Sequence, residues 1–338
     1  MKSSCKIERV PYMTNVQEVA VGTVADGAIV KGMGRYSKAS KRRLAKQGGD
    51  AALQNDSAWF LLPSGLILGL VMIAPLLFAI YLSLFSYFLG QDKTFVWFSN
   101  YASLLGDARF WWSLIRTVCI VFSAVLLEFC SGLLIAYGLY NLSSGARFFN
   151  VLIMLPNIIT PVVSGVFLRW VFVPDYGLID VALNTIGIVG PDFLSTPFWA
   201  RITIVLADMW QFTPFMVLVL FAGLNTVDRS QIEAAQIDGV GSFGMLLRIM
   251  LPNIKPLIVF VLAIRLMDSF RFFDQIFILT SGGPGTATET LTMFTYSLGF
   301  NLLNIGAASA LGVMTLAIEL LVVLLMIRLV YRKEKGAF

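Results

Sequence analysis

Long apolar stretches separated by short polar ones run through this chain from about residue 59 onward. Six can be marked off: Trp59–Phe88, Leu114–Tyr140, Phe148–Val173, Trp199–Leu224, Pro256–Thr280 and Ile305–Val330. Each is long enough to carry a helix across a hydrocarbon core of ~30 Å. A membrane β-barrel would instead show alternating segments of about ten residues. The pattern therefore predicts an all-α membrane protein, a six-span bundle in which each helix satisfies its own backbone polar groups. Pro63, Pro75, Pro156, Pro161 and Pro214 fall inside the stretches. Prolines at membrane depth are tolerated where neighbouring helices or water re-satisfy the freed carbonyls, which is easiest beside a cavity.

Composition agrees. Apolar types make up 57% of the 338 residues and charged types 13%, against about 25% charged in a soluble domain. The net charge of +5 comes largely from residues 1–57, which hold ten Lys/Arg against five Asp/Glu. That segment reads as a basic cytosolic tail in which Arg35–Lys46 could form a short amphipathic helix at the membrane surface. It does not suggest nucleic-acid binding, because basic residues are the expected cytosolic flank of a membrane helix. The first apolar stretch starts too far in, and is too long, for a signal peptide. The chain thus divides into 1–57, a membrane domain at 58–331 and a short tail at 332–338.

The loops Pro174–Phe198 and Ser281–Asn304 contain no Lys or Arg, whereas both tails and the loop around Glu233 do. By the positive-inside rule both termini and the Glu233 loop are cytosolic, and the loop with Asp175, Asp180 and Asp192 faces outward. Cys119 and Cys130 share one predicted helix about 16 Å apart, too far for a disulfide. Both read as apolar filler. No histidine is present, which removes histidine-based triads, proton relays and metal sites. No G-x-x-x-x-G-K-[ST] occurs, so the chain has no phosphate-binding loop of its own.

"EAAQIDGVGSFGMLLRIMLPNIKP", Glu233–Pro256, interrupts two apolar stretches. Ser230 with Glu233 three residues on has the form of a capping box, so a short helix is expected to start there. Gly239 and Gly241 permit a sharp turn, and a second short helix is expected over Ser242–Met250. Glu233 could serve as a cap alone. Ala234 and Ala235 make a flat surface and Gly239 allows close backbone approach, features of a helix that docks on a cytosolic partner.

Charges inside the apolar stretches are costly, yet Glu128, Arg201, Asp208, Arg265, Asp268, Arg271, Asp274 and Glu319 all occur there. Arg265, Asp268, Arg271 and Asp274 form a ladder of alternating sign at i, i+3 spacing, which could pair along one helix face or line a polar path with Phe270, Phe272 and Phe273. Asp208, Gln211, Phe212 and Phe215 fall at i, i+3, i+4 and i+7, one helical face. Glu128 and Glu319 stand alone in their stretches, and packing on a hydroxyl or amide of another helix is the simpler reading.

"EAAQIDGV…RIMLP" resembles the EAA loop of the permease subunits of ATP-binding cassette importers; Glu233, Ala234, Ala235, Gly239, Ile249, Leu251 and Pro252 match. "FVPDYGLID", "WQFTPFMVLVLFAGL" and "RFFDQIFILTSGGPG" resemble further motifs of the carbohydrate-uptake branch, of maltose/trehalose type. The resemblance covers roughly Trp59–Val330; Leu246 and Asp180 depart from the usual aromatic and Asn. It implies a type I importer permease fold with the EAA loop at 230–252 as coupling helices. It implies a multi-pass protein of the bacterial cytoplasmic (inner) membrane, in contact with membrane lipid. Its partners would be a second, distinct permease subunit, two ATPase subunits and an external or periplasmic substrate-binding protein. This chain would need no cofactor and would not be an enzyme, ATP and Mg being used by the ATPase subunits. Carried over by motif, the substrate site falls on Asp208, Gln211, Phe212, Phe215, Arg265 and Ser269, and coupling to the ATPase on Glu233, Ala234, Ala235, Asp238 and Gly239.

Two other readings stand beside this one. An ion-coupled secondary transporter would use the buried carboxylates, but such folds usually show inverted repeats and would leave the Glu233 loop without a role. A membrane enzyme would need a clustered nucleophile. Within the family, glycerol phosphate or sugar-phosphate substrates would want unpaired arginines, whereas Arg265 and Arg271 have aspartate neighbours; a neutral sugar or polyol is expected.

Overall fold

The computed structural model describes residues 49–142 and 144–332. The basic run Arg35–Lys46 and the end of the short tail lie outside the described residues. The chain divides into two units, Met1–Met72 and Ile73–Phe338. The first contributes, among the described residues, the start of α1 (Gly49–Ser83). The second holds the rest of α1 and a β-hairpin, β1 (Phe85–Ser86) and β2 (Thr94–Phe95). It continues with α2 (Ser99–Gly106), α3 (Ala108–Tyr140), α4 (Ala146–Ile153), α5 (Leu155–Ile158), α6 (Pro161–Phe172) and α7 (Leu178–Thr185). Next come α8 (Pro197–Leu224), α9 (Arg229–Ile237), α10 (Ser242–Met245), a π turn at Leu246–Met250, and α11 (Leu251–Asn253). Last are α12 (Lys255–Phe270), α13 (Asp274–Leu279), α14 (Leu291–Tyr296), a second π turn at Ser297–Asn301, and α15 (Ile305–Arg332).

Among the described residues, four helices are long and apolar enough to cross a membrane: Leu62–Ser83 within α1, α3, α8 and Ile305–Arg328 within α15. The pair Ser242–Asn253 and Lys255–Phe270, bent by 78°, makes a fifth where the two are taken as one span. The third expected span, Phe148–Val173, is not one helix but α4, α5 and α6 in series. Its prolines set the breaks: Thr160, which precedes Pro161, is extended at φ −65° and ψ 147°, since a following proline disfavours the helical region. The fifth expected span ends early, at Phe270, and restarts as α13. The first ends at Ser83 rather than Phe88, where the Asn100 amide donates to the carbonyls of Ser83 (2.7 Å) and Phe85 (2.9 Å). The antiparallel hairpin that follows pairs Phe85 with Phe95 and was not expected.

The closest packing is between α3 and α8. A Cβ on Gly132 would sit 2.7 Å from Met216 Cγ, so only glycine allows the two helices to approach there. Pro214 in mid-α8 weakens the helical ladder around it, and the Asn157 side chain donates to the Gln211 carbonyl at 3.2 Å. At one end of this pair Leu139, Met216, Leu220 and Leu224 are buried with Ala235, Met245, Leu246 and Met250, so the Glu233 loop is anchored to the helix ends.

Opposite that end, the turn Thr286–Glu289 is held by arginines. Arg109 donates to both Glu289 carboxylate oxygens, at 3.0 and 2.5 Å. Arg116 reaches the Glu289 carbonyl and Thr286 Oγ1, and Arg201 donates to the Ala287 carbonyl at 2.9 Å. Arg201, an apparent charge in the membrane by sequence, thus serves this turn.

Candidate functional site

Arg265, on α12, is buried. Its Nε and Nη2 each donate to Glu128 on α3, both at 2.8 Å. Nη2 also lies 3.2 Å from Asp208 Oδ2 on α8 and 3.1 Å from Ser269 Oγ. The guanidinium carbon sits 3.9 Å from the Phe212 ring centroid, a cation–π contact. Four of the expected substrate residues, Asp208, Phe212, Arg265 and Ser269, are therefore brought together. Glu128, Asp208 and Arg265 are each exposed by 1% or less, so their charges are met inside the protein.

The other two expected residues lie elsewhere. Gln211 donates to the Ile159 carbonyl at 2.9 Å, which the break before Pro161 leaves without a helical partner. Its Oε1 accepts from Gln275 on α13, which also donates to Ser164 at 2.9 Å. Phe215 packs half-buried on the apolar cluster around Met216 and Leu220. Two buried acceptors, Asp208 Oδ1 and Gln275 Oε1, have no hydrogen-bond partner. Such atoms are costly unless a ligand or water supplies a donor.

The ladder Arg265, Asp268, Arg271, Asp274 keeps one loose i, i+3 contact, Arg265–Asp268, and does not otherwise pair along one face. Arg265 turns to Glu128 and Asp208, leaving Asp268 4.0 Å away and mostly exposed, while Arg271 pairs with Glu319 at 3.1 Å. The helix stops at Phe270, so residues beyond it leave the helical register. Glu128 and Glu319, expected on hydroxyls or amides, each meet an arginine, because a buried carboxylate needs a matching charge. Sequence reasoning also missed Gln275 and Ser164; the lone acid in an apolar stretch was the signal that pointed at Glu128.

In the Glu233 loop, the Asp228 carboxylate, not Ser230 with Glu233, caps α9, accepting from the Ser230 N–H at 3.0 Å. The expected box fails because Ser230 already lies inside the helix. The other end closes on Gly239 at φ +77°. Val240 N–H bonds back to the Ala235 carbonyl at 3.0 Å and Gly239 N–H to Gln236 at 3.1 Å, a Schellman pattern that favours glycine. The second short helix runs through α10 and the π turn and bends at Ile254. Pro256 lacks the N–H that would continue it. Tyr137 Oη donates to the Ser242 carbonyl and Asn253 to Gln231, pinning both halves. Ala235 is buried, whereas Glu233, Ala234, Asp238 and Gly239 are exposed. Ile237 and Phe243 are 87% and 69% exposed.

Residues 177–335 match the family model described as the binding-protein-dependent transport system inner membrane component. The chain is 34% identical over 229 residues to the trehalose/maltose transport system permease protein of Thermococcus litoralis, covering 68% of this chain and 77% of that one. It is 32% identical over 277 residues to the sulfoquinovosyl glycerol transport system permease protein of Agrobacterium fabrum, covering 81% and 90%. Among solved structures it is similar to a chain of a bacterial alginate ABC transporter in complex with an alginate pentasaccharide-bound periplasmic protein. The TM-score is 0.69 at 22% identity, covering 82% of this chain and 94% of that one; this shows the shared fold.

Proposed function

Since the chain belongs to the family of binding-protein-dependent inner-membrane transport components, as a carbohydrate-importer permease, we propose that it moves a neutral sugar or polyol inward by alternating access, driven by partner ATPases. The observation that carries this reading is the Glu233 loop. It is two short helices anchored by Ala235 on the ends of α3 and α8, with Ile237 and Phe243 turned outward. Exposed apolar side chains on an anchored element suit contact with another protein. In this reading the exposed Glu233, Ala234, Asp238 and Gly239 form the contact with an ATPase subunit, which binds ATP and Mg, while buried Ala235 holds the loop in place. The loop and both termini are cytosolic, and a second, distinct permease subunit and an external substrate-binding protein complete the importer.

Asp208, Phe212, Arg265 and Ser269 are the proposed substrate residues, and Gln211 and Phe215, which make other contacts in this structure, join them when the spans part. The unpartnered oxygen of Asp208 supports this, because a sugar hydroxyl would supply its missing donor. Neutrality of the substrate is supported by Arg265 and Arg271, each already paired with a carboxylate. That leaves little for a phosphate to gain, and glycerol phosphate or sugar phosphates are disfavoured. Uptake of trehalose, maltose and sn-glycerol 3-phosphate by the reconstituted importer tests the reading.

A further inference from the structure

An open, largely apolar cavity of about 730 Å³ lies beside α15, lined by residues of α14 and the π turn after it, by Arg271 and Phe273 between α12 and α13, and by Ala79 of α1. None of Glu128, Asp208 and Arg265 lines it. One wall is a run of rings: Phe273 and Tyr296 have centroids 5.2 Å apart, and Tyr296 stacks on Phe300 at 5.0 Å and 24°. Facing them on α15 are small residues, among them Ser309 and Gly312. The Arg271–Glu319 pair also belongs to the lining.

Depth decides what can occupy it. Glu319 lies well inside the spanning part of α15, and Arg271, just past the end of α12, pairs with it at 3.1 Å. The pair therefore sits within the membrane-spanning region, yet the Arg271 side chain is 62% exposed. An open guanidinium at that depth is costly against hydrocarbon and marks a polar path. The Thr295 and Thr315 hydroxyls donate to the carbonyls of Leu291 and Leu311, so what they offer the cavity is acceptor lone pairs. Flat rings, acceptors and a charge-balanced ion pair suit a sugar ring, with its C–H face on the aromatics and its hydroxyls on the polar groups. The volume lies within the usual range for small-molecule sites.

We propose that this cavity is a second carbohydrate subsite, in which a neutral sugar stacks on Tyr296 and Phe300 and hydrogen-bonds the Arg271–Glu319 pair. The inference rests on the sugar-import reading, and wild-type uptake reports on that reading separately.

The test uses the complete importer in lipid vesicles, with Ser309→Cys in a chain whose native cysteines are replaced. The probe is whichever of trehalose and maltose the wild type takes up faster. A charged methanethiosulfonate reagent should label Cys at 309, and the sugar, delivered on the binding protein, should slow that labelling. Phe300→Leu, which keeps apolar bulk but removes the flat face, should raise the apparent KM about three- to tenfold with little change in maximal rate. Three results overturn the subsite. In one, only uncharged N-ethylmaleimide reacts, as for a cavity filled by lipid or a partner helix. In another, labelling occurs without protection by sugar. In the third, Phe300→Leu leaves KM unchanged. If the wild type imports neither disaccharide, the import reading falls and the subsite with it.

Discussion

Arg265 and Glu128 face each other fork to fork, two hydrogen bonds of 2.8 Å joining α12 to α3 across 137 residues of chain. Paired geometry of this kind is the strongest a carboxylate and a guanidinium make. Asp208 adds a second carboxylate to the same guanidinium, so the cluster holds two acids for one base. The two acids are not equivalent: Glu128 takes the fork, and Asp208 takes one longer contact.

That asymmetry orders the stabilities of two variants. Glu128→Ala removes the principal partner of a buried charge and should cost about 3–5 kcal/mol. Asp208→Asn leaves the fork intact and removes the excess negative charge, so it should cost far less. Thermal unfolding of the purified assembly measures both; equal losses would contradict the assignment of Glu128 as the principal partner.

For transport the order reverses. A hydrogen bond from a sugar to a charged group contributes about 1.5–3 kcal/mol, and about 1.4 kcal/mol is a factor of ten. Asp208→Ala should therefore lower transport efficiency roughly ten- to a hundredfold, with the affinity of the binding protein unchanged. Phe212→Ala should blur discrimination among sugars more than it lowers flux. If Asp208→Ala costs only folded yield, and surviving complexes keep wild-type apparent affinity, Asp208 is structural.

The long apolar helices and the Glu233 loop were legible because they are local, whereas the six-span count was not met among the described residues and the prolines, expected inside continuous spans, break the third one. Hydropathy over about 20 residues marks a helix, proline acts on its immediate neighbours, and Gly239 terminates α9 by its own φ. The partners of Glu128 and Glu319 were not legible, since they depend on how α3, α12 and α15 rotate about their axes, which residue spacing does not encode. The capping error had a smaller cause: Asp228 and Ser230 are both good caps, and the chain used the earlier one. Spacing puts Asp208, Gln211, Phe212 and Phe215 on one face of α8, but only packing revealed that Gln211 serves the Ile159 carbonyl while Asp208 serves Arg265.

Gly239→Asp tests the loop. Aspartate tolerates positive φ better than most residues, so α9 should persist while the bulkier side chain blocks close approach. Uptake should fall to background, and ATP hydrolysis should continue without its dependence on sugar and binding protein. Normal transport by this variant would show that the surface at Gly239 does not contact the ATPase.

Orientation has its own measurement. Cysteine at Ile188 or Asn301, in segments free of Lys and Arg, should react with an impermeant thiol reagent applied to intact cells. Cysteine at Arg332 should react only after permeabilisation. The reverse pattern would invert the topology and put the Glu233 loop outside, away from any ATPase.

The most direct measurement is uptake into vesicles bearing this chain with its partner permease, ATPases and binding protein, using labelled trehalose, maltose and sn-glycerol 3-phosphate in parallel. The account predicts accumulation of a neutral disaccharide that requires both internal ATP and the binding protein, and persists when ion gradients are collapsed. Accumulation driven by an ion gradient without ATP, or of glycerol phosphate with neither disaccharide, would contradict it.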